Sequence, residues 1–188
     1  MGAISGVLGV QGDFRMHLNA LREVGAEPIE VRHTAHLDQV DRLIIPGGES
    51  STVGILLERH GLGEALKRRI QAGMPVWGTC MGMILLAKEI EGMEQYSLGV
   101  LDVQVKRNAF GAQVHSFECE LAMTLFEEPM QGIFIRAPVV TKVGEGVEVL
   151  AELDGKIVAV RQGSVVGTSF HPELTKDRRF HQWFLDLG

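Results

Sequence analysis

Pro75-Val76-Trp77-Gly78-Thr79-Cys80-Met81-Gly82-Met83-Ile84-Leu85-Leu86-Ala87 is a short apolar run, a cysteine set between two near glycines, and a second apolar run. The pattern predicts a strand, a sharp turn and a helix. Gly78-Thr79-Cys80-Met81-Gly82 is the cysteine counterpart of the Gly-x-Ser-x-Gly elbow, in which a strained strand-to-helix turn lifts a nucleophile clear of a sheet. The flanking glycines leave room for that turn. A cysteine at a helix N-terminus also meets backbone N–H groups and the positive end of the helix dipole, which favour thiolate over thiol. A buried structural cysteine beside a glycine-rich turn fits the same letters, so the choice falls to the rest of the chain.

Outward from this stretch, composition sets the bounds. With 188 residues and 45% hydrophobic content, residues 1–188 suit one globular domain with a substantial core. The net charge of −6, without a long run of one sign, lacks the basic footprint of a nucleic-acid binder. Two cysteines, Cys80 and Cys119, cannot form a disulfide framework, and no C-x-x-C or H-E-x-x-H pattern offers a metal site. No apolar run approaches the roughly 18 residues of a membrane span, and the first residues do not resemble a signal peptide. The expectation is a soluble chain in a reducing cytoplasm.

The segments before the elbow alternate. Ala3 to Val10 reads as a buried strand, and Phe14, Leu18, Leu21 and Val24 as a helix with Asp13 at its N-cap. Pro28 to Val31 and Leu43 to Ile45 read as further strands, with helical patterns over Val53–His60 and Leu62–Ala72. This predicts an α/β fold of three layers, a mostly parallel central sheet flanked by helices in the flavodoxin-like manner, with ligands at the C-terminal strand ends. Pro46-Gly47-Gly48-Glu49-Ser50-Ser51-Thr52 lies at such an end. It lacks the Lys-Ser/Thr ending of a phosphate loop, Ser50 to Thr52 could cap the next helix, and its glycines could bring backbone N–H groups to a substrate oxygen.

After the elbow the chain becomes strand-rich. Val100–Lys106 and Gln113–Leu121 flank an Arg107-Asn108-Ala109-Phe110-Gly111 loop, and Ile133–Ile135, Val139–Val143, Val147–Leu153, Lys156–Arg161 and Val165–Phe170 follow with turn signals between them. This half is expected to add an antiparallel region, closed by a C-terminal helix over Thr175–Leu187.

A catalytic cysteine needs a histidine as general base and acid, and a third group to orient the imidazole. Of seven histidines, His17, His33, His36, His60 and His181 fall in helices or polar connections and read as solvated. His115 lies in a strand-like segment without an evident orienting carboxylate. His171 follows the Val165–Phe170 strand and precedes Pro172-Glu173, so its ring and the Glu173 carboxylate stand at a strand end, as the elbow does.

Leu8 to Phe14, Pro46 to Thr52, Trp77 to Leu86 and Phe170 to Leu174 together resemble the class I (triad) glutamine amidotransferases. More narrowly, Gln11-Gly12-Asp13-Phe14, Arg107 to Gly111 and Phe134-Ile135-Arg136-Ala137-Pro138 are similar to the glutaminase subunits of pyridoxal 5′-phosphate synthases. The resemblance implies a Cys80, His171, Glu173 triad and an oxyanion hole from Met81 with Gly47 or Gly48. It also implies a glutamine pocket of Gly47, Gly48, Glu49, Arg107, Ile135 and Arg136. It implies no cofactor. The partner it implies is a synthase subunit, in a large heteromeric complex, that condenses ribose 5-phosphate and glyceraldehyde 3-phosphate with the released ammonia. Met81, Ala112 and His115 depart from the pattern, where alanine, arginine and aspartate are expected. A glutaminase of another synthase, such as imidazole glycerol phosphate synthase, a peptidase using the same elbow, and a binding module that kept the fold are the competing readings.

Overall fold

The computed structural model describes residues 3–110 and 116–187. The first half runs β1 (Ser5–Leu8), α1 (Phe14–Glu23), β2 (Ile29–Val31), α2 (Thr34–Leu37), β3 (Arg42–Ile45), α3 (Ser50–Arg59), α4 (Leu62–Gln71), β4 (Val76–Thr79) and α5 (Met81–Leu86). The second half runs β5 (Ala87–Ile90), β6 (Leu101–Lys106), β7 (Ser116–Leu121), β8 (Met130–Ile135), β9 (Val139–Val143), β10 (Glu148–Leu153), β11 (Lys156–Gln162), β12 (Val165–Thr168) and α6 (Arg179–Leu185).

The large sheet has the order β2-β1-β3-β4-β12-β11-β9-β6-β5, with β10 on β11. Strands β2, β1, β3, β4 and β12 are mutually parallel, β11 and β9 introduce antiparallel pairing, and β7 with β8 forms a separate antiparallel ribbon. Because side chains alternate across a strand, consecutive residues feed opposite layers. Leu8, Leu43, Ile45, Val76 and Val165 pack with Val53, Leu57, Leu66 and Leu85 from the α3, α4 and α5 side. Val7, Ile44, Trp77 and Val166 face the other way, onto Leu18, Leu21, Phe180 and Phe184 of α1 and α6 and onto Phe134 of the β7–β8 ribbon. That second layer is aromatic, with the Trp77 and Phe180 rings 4.6 Å apart. Buried sheet strands with continuous apolar runs and helices on both faces give the three layers expected of the alternating sequence.

The topology places β3, β4 and β12 side by side, in register from Leu43↔Val76 and from Val165↔Val76. The glycine loop, the elbow and the His-Pro-Glu segment therefore leave neighbouring strands at the same edge. Several boundaries differ from the sequence expectation. The apolar run after Cys80 stays helical only to Leu86, and Ala87 opens β5, which pairs with β6 in parallel. The C-terminal helix starts at Arg179, because Pro172–Leu174 forms a separate 3₁₀ turn. Asp13 occupies the N-cap of α1 without a capping side-chain bond, while Glu49, not Ser50 to Thr52, caps α3 by accepting from Ser51 N.

Candidate active site

The elbow is built by close packing. Cys80 has φ 51° and ψ −108°, a conformation that L-residues adopt only under constraint. Its N–H donates to the Thr168 carbonyl at 2.7 Å, tying the turn to β12. Gly82 faces the carbonyl of Ile45 and Gly78 faces the backbone of Gly82, so neither position has space for a Cβ. The helix α5 thus presses its first turn directly onto the end of β3, and Cys80 projects at the sheet edge.

His171 arrives from β12 and is anchored by its N–H to the Ile133 carbonyl of β8 at 2.8 Å. The 3₁₀ turn at Pro172–Leu174 folds Glu173 back under the ring, and Glu173 Oε1 lies 2.7 Å from His171 Nδ1. Both side chains are almost fully buried. Burial opposes a charged His171, but hydrogen bonds to Cys80 and Glu173 and the negative charge of both outweigh it, and the imidazole is pushed up to about 10. Burial likewise opposes an ionised Glu173, yet the facing His17 and the hydrogen-bonded His171 hold its carboxyl below the usual range. A buried imidazole held between a sulfur and a carboxylate is placed to exchange protons at that sulfur while the carboxylate fixes its orientation.

These groups open onto a cavity of about 260 Å³. Cys80, Met81, His171, Gly48, Glu49, Arg107, Ile135 and Arg136 all line it. Gly47 lies behind the wall: a Cβ there would stand 2.6 Å from His171 Cε1 and 3.6 Å from Cys80 Cβ, in the gap between base and nucleophile. The Ile135 carbonyl accepts from Cys80 Sγ at 3.7 Å. At the mouth, Arg107 reaches Glu49 at 3.4 Å and the Gln95 amide oxygen at 3.4 Å. Among the described residues, four non-glycine positions have positive φ, and three of them, Cys80, Asn108 and Arg136, line this one cavity. Backbone strain concentrated in this way is characteristic of sites where geometry is imposed for chemistry. No cluster of His, Cys, Asp and Glu among the described residues could hold a metal ion.

The comparisons agree with this architecture. The SNO glutamine amidotransferase family matches residues 7–187. The chain belongs to that family. It is 52% identical to pyridoxal 5′-phosphate synthase subunit PdxT of Mycobacterium leprae (strain TN), over 97% of this chain and 94% of the relative. The PdxT subunit of Roseiflexus sp. (strain RS-1) is 53% identical, over 97% of this chain and 98% of its own. A crystal structure described as a glutamine amidotransferase superposes with a TM-score of 0.93 at 51% identity, covering 97% of both chains.

Two histidines read as solvated are not. His17 and His181 are completely buried, where they contact each other, Trp77 and the triad region. The sequence carried a signal for this: His17 lies one residue before Leu18 and three before Ala20 on the buried stripe of α1, and His181 follows Phe180 on that of α6. His33 and His60 are exposed as expected. Met81 is buried, so its side chain packs into the wall of the cavity and does not stand free at the rim. The Gln11 side-chain oxygen accepts from Glu49 N at 3.0 Å and orders the glycine loop, a role its sequence motif does not announce. Asn108, also missed, supplies the left-handed bend after Arg107, a conformation asparagine tolerates better than most residues. Ala112 and His115 lie outside the described residues.

Proposed function

We propose that residues 1–188 act as one glutaminase domain that hydrolyses L-glutamine to glutamate and ammonia through Cys80, His171 and Glu173. The observation that carries this reading is the 2.7 Å contact of Glu173 with His171 beside Cys80, in a cavity whose mouth holds an arginine. The Cys80 thiolate attacks the side-chain amide carbon. The Met81 N–H, which begins α5 without an intrahelical partner, and an N–H of Gly47 or Gly48 receive the developing oxyanion. His171 gives its proton to the departing ammonia, leaving a glutamyl thioester, then takes one from water as the water attacks that thioester. Loss of the thiolate completes glutamate, and Glu173 holds the ring in one orientation and stabilises its charge throughout.

Glu49, Arg107, Ile135 and Arg136 are assigned to glutamine binding. Arg107 offers a planar fork for the α-carboxylate, and the Ile135 carbonyl stands close to the reacting sulfur. The names of the similar proteins support a synthase subunit of pyridoxal 5′-phosphate synthase as the acceptor of the ammonia, in a heteromeric complex. Direct delivery suits the chemistry, since ammonia released to neutral water is mostly protonated and no longer nucleophilic. No described helix is long and apolar enough to cross a membrane, and a reducing cytoplasm is the proposed setting for a free catalytic thiol.

Glutamate release measured for Cys80→Ala and Cys119→Ala proteins, each mixed with the synthase subunit, tests the reading. Cys80→Ala is expected to lose activity and Cys119→Ala to keep it. Activity retained in Cys80→Ala would overturn the mechanism, and stimulation only by an unrelated synthase would overturn the partner.

A further inference from the structure

Behind the triad lies a second line of polar groups that the mechanism above does not use. His17, on α1 and fully buried, presents both ring nitrogens to partners. Nδ1 is 3.0 Å from His181 Nε2; Nε2 is 3.2 Å from Thr79 Oγ1 and 3.4 Å from Glu173 Oε2. That carboxylate oxygen is buried and has no hydrogen bond of good geometry among the described residues. An ionised oxygen in such a place is costly unless a donor faces it. Burial pushes His17 down, so the ring is neutral and carries a single N–H. A carboxylate can only accept, which places that hydrogen on Nε2. Nδ1 is then an acceptor and receives the Nε2–H of His181, whose own Nδ1 has no partner among the described residues and is a bare lone pair. This assignment of tautomers turns a donor toward Glu173 and leaves His181 Nδ1 as the unpartnered nitrogen of the line.

We propose that His17 is a positioning residue for the triad: its Nε2–H, fixed on that nitrogen by His181, faces Glu173 and Thr79 and holds the carboxylate square to His171. The inference rests on the triad reading above. Thr79 immediately precedes Cys80, so the same N–H joins the strand that carries the nucleophile to the carboxylate that orients the base. The charged and titratable groups around His17 are Glu173 and His171 beyond β12, Asp13 before α1, and Arg178 and His181 at α6. Of these, Glu173 is the one within reach of Nε2. A donor aimed at the carboxylate stabilises the thiolate, imidazolium and carboxylate arrangement against uptake of a further proton. Its removal therefore moves the acid limb of thiolate reactivity to higher pH.

The test reads the rate of iodoacetamide alkylation of Cys80 against pH in a Cys119→Ala background, together with glutamate release in the complex with the synthase subunit. His17→Leu is expected to move the alkylation limb up by about one pH unit and to lower kcat about tenfold with little change in KM. His17→Gln, whose amide N–H can stand where Nε2–H stood, is expected to recover most of both. In a Glu173→Gln background, His17→Leu should add no further shift. A His17→Leu protein that loses thermal stability but keeps the wild-type limb would overturn the proposal, as would equal impairment by Leu and Gln. If His17→Leu does not fold, His17→Gln and His181→Leu read the same limb: the proposal expects Gln near wild type and His181→Leu shifted upward, and the reverse order overturns it. Retained activity in Cys80→Ala would instead remove the triad reading on which it stands, and that result is separate from any of these.

Discussion

Arg107 Nη2 stands 3.4 Å from Glu49 Oε1 across the mouth of the cavity, one residue from the loop after β6 and the other from the loop after β3. The Glu49 side chain is about half exposed (54%), and an exposed pair of this kind holds together by only about 0–1 kcal/mol. An α-amino acid carries a carboxylate and an ammonium on one carbon, so the two residues can exchange their mutual contact for one pole each of the same ligand. Arg107→Ala is expected to raise KM for glutamine about tenfold or more, with a smaller change in kcat, because the lost contact is the same in ground and transition states. Glu49→Gln should act in the same direction. Steady-state kinetics in the complex, with thermal midpoints as a control, check both.

The elbow makes a backbone prediction that is independent of catalysis. Cys80→Ala and Cys80→Gly both lack the sulfur, but only glycine relieves a φ of 51° paired with ψ −108°. Cys80→Gly should be the more stable of the two by about 1 kcal/mol, within the ~1–3 kcal/mol stored at such positions. Gly82→Ala should behave in the opposite sense and cost about 3 kcal/mol, since its methyl would be driven into the Ile45 carbonyl and a packed interior does not yield cheaply. Urea unfolding of the three variants gives the order directly.

How far the sequence could be read depends on the range of the interaction. The elbow, the alternation of strands and helices, and His171-Pro172-Glu173 are local patterns, and β4, β12 and the glycine loop stand together because parallel strands deliver their ends to one edge. The line from His181 through His17 to Glu173 is another matter. It joins residues separated by 164 positions, and no local pattern distinguishes a histidine that faces a buried polar partner from one that faces water. The apolar stripes of α1 and α6, which His17 and His181 continue, are the local hint, and a polar side chain on such a stripe is equally at home turned to water. The early end of α5 was hidden for a related reason: Met83 to Ala87 is apolar enough for either a buried helix or a buried strand, and pairing of β5 with β6 decides.

Arg42 shows how the aromatic layer is fastened. It sits at the start of β3, is 7% exposed, and its Nη1 donates to the Phe184 carbonyl at 2.8 Å, to the Leu185 carbonyl and to the Leu187 carbonyl at 3.3 Å. The last carbonyls of a helix have no intrahelical donors, so the guanidinium serves as their cap from another element. Arg42→Met keeps most of the stem and removes the donors. It is expected to destabilise the chain by about 2–3 kcal/mol, the cost of leaving charge-assisted bonds unmade at a buried helix end. Hydrogen exchange should show the loss concentrated in α6, and with it a looser seat for His181.

The two kinds of buried histidine make opposite demands on pH. Burial, reinforced by the neighbouring His17, pushes His181 down to about 3, against 6.5 when unfolded. The unfolded chain therefore takes up a proton below about pH 6.5 that the folded one refuses, and stability falls with acid by up to about 1.4 kcal/mol per pH unit for this group. His171 runs the other way. With its imidazole held up to about 10, its contribution is complete below pH 6.5 and is lost as pH rises from there through about 10. Stability should thus decline on both sides of a maximum near pH 6.5. His181→Leu should flatten part of the decline from about pH 6.5 to 5, above the range where Glu173 takes up its proton and with the remainder left to His17, which burial also pushes down, while Glu173→Gln should flatten the decline toward pH 10. Urea midpoints of the three proteins across this range separate the two limbs, and an acid limb unchanged in His181→Leu would show that another group drives it.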